Sequence, residues 1–61
     1  MDSRDVISRL KREGWEQVHV AGSHHKFKHP RIHGIVTVPH PKKDLPIGTL
    51  HNIYRQAGWA W

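Results

Sequence analysis

The sequence contains no cysteine, which excludes disulfides, thiolate zinc sites and cysteine nucleophiles. That composition fits a reducing compartment, and a cytoplasmic location is expected. No run of about 18 apolar residues occurs, and the polar start Met1-Asp2-Ser3-Arg4-Asp5 has no hydrophobic segment behind it, so neither a membrane span nor a classical secretion signal is expected. Acidic residues are few: five Asp and Glu stand against ten Lys and Arg, a formal charge of +5 with the seven histidines neutral. At pH 7 about a quarter of exposed imidazoles are protonated, which adds roughly one to two charges. Such a balance favours a polyanionic partner, and net charge alone does not choose among nucleic acid, an anionic membrane surface and an acidic protein. At 61 residues the chain is too short for a two-domain enzyme. A domain of about 60 residues buries only roughly 60% of the surface its unfolded chain exposes, and folds of this size usually add disulfides, a metal or a binding partner.

No internal repeat, low-complexity tract or linker interrupts the chain, and residues 1–61 read as one domain. Val6, Ile7 and Leu10 fall at helical spacing, with Asp2 or Ser3 as N-cap and Gly14 as the stop, which predicts a helix over about 3–13. From Trp15 to Val20 the period changes to two, with Val18 and Val20 on one face and Gln17 and His19 on the other, the pattern of a half-buried strand. Ala21-Gly22-Ser23 supplies a turn. Strands over 24–29 and 35–38 then form an antiparallel meander with the first. Three prolines make 39–46 a loop. A second helix follows from near Pro46, with Ile47, Leu50, Ile53, Tyr54 and Ala57 as its apolar set and Gly58 as its stop. The order α-β-β-β-α predicts an α+β two-layer sandwich: a three-stranded antiparallel sheet with both helices on one face, as in double-stranded-RNA-binding domains. Fold order alone says little about chemistry.

Strand parity carries more. If Phe27 faces the helices, His25 lies with it, while His24, Lys26 and Lys28 share the opposite, uncovered face. One imidazole and two ammonium groups suit RNA cleavage: a base takes the 2′-hydroxyl proton as the oxygen attacks phosphorus, and cations stabilise the charge on the phosphoryl oxygens. No metal is needed in principle, and the 2′-hydroxyl restricts the reaction to RNA. The same residues also suit a solvated surface or simple phosphate binding. For the general acid the residues leave His19, His40 and water open. Gly22 and Ser23 read either as a structural turn, with Ser23 hydrogen-bonding locally, or as a holder of phosphate beside His24. Lys42 and Lys43 read either as a solvated loop or as an extension of the basic surface toward the RNA backbone. No standard metal-ligand spacing is present, and neither metal nor cofactor is expected. Trp15 reads as core, and Trp59 and Trp61 either cap the helix layer or mark a partner contact.

Gly14-Trp15, Gly22-Ser23-His24-His25 with Phe27, Val36-Thr37-Val38-Pro39-His40, and the stretch from Pro46 to Gly58 with Gly48-Thr49-Leu50 and Ile53 together resemble the HicA toxins of bacterial HicAB toxin-antitoxin systems. The resemblance spans nearly the whole chain, and the order of motifs is more specific than any one of them. It implies a double-stranded-RNA-binding-like fold, an endoribonuclease activity on mRNA that arrests translation, and a HicB-type antitoxin that blocks it. The family's catalytic histidine follows Gly-Ser, which falls on His24, and Gly22 and Ser23 match the motif as well. Within the resemblance, His24 is the general base, Lys26 and Lys28 bind phosphates, and Lys42 or Lys43 orients the strand. The rival readings are a non-catalytic RNA-binding module of the same fold, which binds without product, and a small protein that docks on an acidic partner and ignores RNA.

Overall fold

A computed structural model describes the whole chain, residues 1–61. Asp2 caps the first helix, α1 (Ser3–Arg12), its carboxylate accepting from the Arg4 amide at 2.8 Å. Ser3 therefore becomes the first helical residue rather than the cap, and its fully buried hydroxyl turns toward the loop before the second helix. The helix ends with Arg9, Lys11 and Arg12 in its last turn, where cations complement the dipole. Gly14 follows at φ 95, a left-handed conformation that releases the chain into the sheet. Three antiparallel strands come next, β1 (Glu16–Ala21), β2 (His24–Lys28) and β3 (Ile35–Pro39), in the order β1-β2-β3. The last element is α2 (Ile47–Ala57), with Pro46 as N-cap and Gly58 as C-cap. The expected α-β-β-β-α order and open three-stranded sheet are observed.

Phe27, Val36 and Val38 point from β2 and β3 into a core closed by Val6 and Leu10 of α1, Ile53 and Ala57 of α2, and Trp15, Leu45 and Trp59 from the connections. Burying side chains of this size contributes about 1.5–3 kcal/mol each for the larger aliphatic and aromatic members. Trp15 is core, as its position after Gly14 suggested. Trp59 is core too: its indole N–H donates to Glu13 Oε1 at 2.8 Å, and the Arg9 guanidinium lies 4.0 Å from its ring centroid. Trp61 is 64% exposed and rests against His51, ring centroids 4.7 Å apart.

Three expectations change. The first strand is not half-buried: all six residues of β1 are exposed, because both helices pack over β3, at the opposite edge of the sheet. Strict alternation also fails there. A bulge between Gln17 and His19 sets Gln17 opposite Phe27 and His19 opposite Lys26, so Gln17 turns to the helix side and His19 to the open side. Finally, Ile47 leaves the apolar set of α2. It is 75% exposed at the first helical position, beyond the reach of the core that Ile53 and Ala57 enter.

Candidate active site

Residues directly opposite one another in an antiparallel pair share a face. With Phe27 buried, the register puts Glu16, His19 and Ala21 of β1, His24, Lys26 and Lys28 of β2, and Ile35, Thr37 and Pro39 of β3 on the open face. The parity assignment for His24, Lys26 and Lys28 holds. Along β2, His24 and Lys26 lie about 7 Å apart, two strand rises. His24 and Lys28 are exposed and Lys26 is half-buried between its neighbours.

The turn ahead of His24 requires glycine in one place. Gly22 has φ 59, in the left-handed region, and a Cβ there would meet open space, so conformation rather than crowding is what a side chain would disturb. Ser23 is held through its backbone: its carbonyl accepts the His40 amide at 2.7 Å. The local bond expected of the Ser23 side chain is absent, and the exposed hydroxyl stands free beside His24.

His40 links this turn to the helix layer. Its Nδ1 lies 2.8 Å from the Ser3 hydroxyl, which also accepts the Lys42 amide at 2.9 Å, and the Ser3 amide in turn donates to the Lys42 carbonyl at 2.9 Å. The His40 ring meets the His25 ring nearly perpendicular, centroids 5.0 Å apart. Since His25 faces the helices, the His40 ring lies on the covered side of the sheet and not beside the His24 ring.

Lys42 and Lys43 sit apart from the open face. With Asp2, Arg4, His40 and Pro41 they line a cavity of about 530 Å³ where β3 leaves the sheet and α1 begins. Arg4 pairs with Asp2 at 3.1 Å. The Asp2 carboxyl is held below the usual carboxylate range, first by the Arg4 backbone amide and then by its guanidinium. The sequence-predicted residues thus fall into two groups: His24, Lys26 and Lys28 on the sheet, and Lys42 and Lys43 in a basic pocket that His40 joins to the His24 turn. Arg4 lines the pocket and was not singled out from sequence, since only the packing of α1 against the loop brings it there, and Ser3 ties that loop to α1 through His40 and Lys42. No group of three or more His, Asp or Glu side chains is placed to hold a metal ion, and no helix is long and apolar enough to cross a membrane.

The family of HicA toxins of bacterial toxin-antitoxin systems matches residues 3–59, all but four residues of the chain, and the chain belongs to that family. The resemblance seen in the motifs is therefore borne out, and membership makes the chain the toxin side of a toxin-antitoxin pair. No curated protein matches it.

Proposed function

We propose that this HicA-family toxin is a metal-independent endoribonuclease that cleaves mRNA in the cytoplasm and is silenced by a HicB-type antitoxin. The observation that carries the reading is the position of His24: exposed on a sheet face that no helix covers, directly after the Gly22-Ser23 turn, with Lys26 and Lys28 on the same face. His24 acts as general base. It takes the proton of the 2′-hydroxyl, the 2′-oxygen bonds to phosphorus, and the bond from phosphorus to the 5′-oxygen breaks. Once the departing 5′-oxygen has received a proton from an acid or water, the products are a 2′,3′-cyclic phosphate and a 5′-hydroxyl. Lys26 and Lys28 stabilise the charge on the non-bridging oxygens, and the Ser23 hydroxyl and the amides of the turn hold the substrate phosphate beside His24. Lys42 and Lys43 bind the RNA backbone in the adjoining pocket.

The test is cleavage of a single-stranded RNA by the purified toxin in excess chelator, beside His24→Ala and beside a substrate with 2′-deoxy at the cut site. Cleavage that survives chelator but is lost in both controls is expected, with the His24→Ala protein still folded because an exposed residue contributes little packing energy. A parent protein that binds RNA and yields no product would instead be the non-catalytic module, and cleavage by His24→Ala at the parent rate would remove His24 from the role.

A further inference from the structure

Resting on the endoribonuclease reading above, we propose that His19 is the general acid that protonates the leaving 5′-oxygen. Cleavage by 2′-hydroxyl attack needs two proton transfers on opposite sides of one phosphorus. The base receives a proton at the entering oxygen and an acid supplies one at the departing oxygen, each within about 2.6–3.2 Å of its partner. The two groups must therefore stand several ångströms apart on one surface, with the phosphate between them.

The β1 bulge provides that arrangement. With Gln17 opposite Phe27, an unbroken ladder would set Val18 opposite Lys26 and turn His19 to the helix side. The extra residue sets His19 opposite Lys26 instead, on the open face with His24. Gln17 does turn inward, its Oε1 lying 3.4 Å from His25 Nδ1 on the covered side. His19 and His24 are then diagonal neighbours across the β1–β2 pair, a spacing of about 7–8 Å, and Lys26 is directly opposite one and two residues from the other. A phosphate lying along the His19–His24 diagonal has an imidazole at each end and Lys26 at the corner between them.

The other histidines are engaged elsewhere. His25 meets Gln17 and the His40 ring, His40 bonds Ser3, His29 Nε2 lies 2.9 Å from the Glu13 carbonyl oxygen, and His51 stacks on Trp61. His33 lies in the connection between β2 and β3, outside the paired residues of the sheet. Only His19 and His24 share the open face, and both are exposed to an incoming strand. In the step, protonated His19 gives its ring proton to the 5′-oxygen as the phosphorus–oxygen bond breaks, while His24 keeps the proton from the 2′-hydroxyl. Exchange with water then discharges His24 and recharges His19, so proton and charge balance close over the cycle.

The experiment compares two short RNAs with the same mapped cut site, one natural and one carrying sulfur in place of the bridging 5′-oxygen, because a thiolate departs without a proton. His19→Gln and His19→Ala are expected to cut the natural RNA about 10²- to 10⁴-fold more slowly than the parent, the range of a lost proton-transfer group, and to cut the sulfur substrate near the parent rate. His24→Ala stays slow on both. Equal slowing of the His19 variants on the two substrates, or parent rates on natural RNA, overturns the general-acid role while leaving His24 in place. A parent that cuts neither RNA overturns the nuclease reading and this role together.

Discussion

Lys26 occupies the centre of the open face, with His19 across β1, Thr37 across β3, and His24 two residues along its own strand. On the proposed reading its ammonium meets a phosphate that reaches either imidazole. Lys26→Ala is accordingly expected to weaken RNA binding and to reduce the dependence of log K on log salt by about 0.7, the counterion released per phosphate on a single strand. Titrating a short RNA against the variant at several salt concentrations measures it, in the His24→Ala background so that the RNA stays intact. An unchanged slope would remove Lys26 from direct phosphate contact. Thr37, beside Lys26 on the neighbouring strand, is uncharged and provides an internal comparison, with no change of slope expected for Thr37→Ala.

Two connections hold the elements in the arrangement that exposes this face. Ser3 joins α1 to the loop ahead of α2: its hydroxyl accepts the Lys42 amide and meets His40, and its own amide donates to the Lys42 carbonyl. Ser3→Ala leaves the Lys42 amide without its acceptor in a part-buried site. The expected loss is about 1–3 kcal/mol, the range for an orphaned buried donor, read by denaturant unfolding. Ser3→Thr, which keeps the oxygen but adds a methyl to a fully buried position, tests crowding at the same point. At the other end, Glu13 joins α1 to the C-terminal segment through Arg9 and the Trp59 indole. The Arg9 guanidinium, then the indole N–H, holds the Glu13 carboxyl below its ordinary range. A depressed carboxyl contributes stability above its unfolded value of about 4.3, and that contribution is lost as pH falls through the lower folded value. Thermal unfolding between neutral pH and about pH 3 should therefore show a smaller acid-induced decrease for Glu13→Gln than for the parent. Identical pH profiles would show that the carboxylate contributes nothing beyond its shape.

At the scale of the whole molecule, a chain of 61 residues closes its core around ten side chains and leaves one sheet face and the β1 edge uncovered. Val18 and Val20 of β1 and Ile35 of β3 are among the exposed apolar residues. A HicB-type antitoxin that covers the open face would block His24 and bury part of this surface together. Mixing the purified partners is expected to stop RNA cleavage and to raise the toxin's unfolding temperature. A partner present at about 100 times its dissociation constant adds about 2.7 kcal/mol to apparent stability. The His24→Ala toxin should bind the antitoxin with little change if the contact is spread across the face. Undiminished cleavage in the mixture would exclude inhibition by direct contact.

Most of the architecture is legible in the sequence because local physics specifies it. Apolar spacing of three and four marks both helices, Gly14 and Gly58 end them, the Gly22 turn separates the first two strands, and Pro41 and Pro46 lie in the stretch 40–46 outside the sheet, while Pro39, expected in the loop, is the last residue of β3 opposite His24. Parity along β2 likewise puts His24, Lys26 and Lys28 on one face, because that strand pairs without interruption on the β3 side. The rest depends on contacts distant in sequence. Strand alternation cannot reveal the bulge that divides Gln17 from His19, since pairing with β2 decides which residue is extra. The exposure of β1 and of Ile47 follows from where the helices rest, and the joining of Ser3 and Arg4 to Lys42 and Lys43 spans nearly forty positions. Sequence by itself determined the elements and the face that carries His24. Tertiary packing decided which second imidazole shares that face and which is held against the helices, because register and helix placement are set by long-range burial rather than by any local pattern.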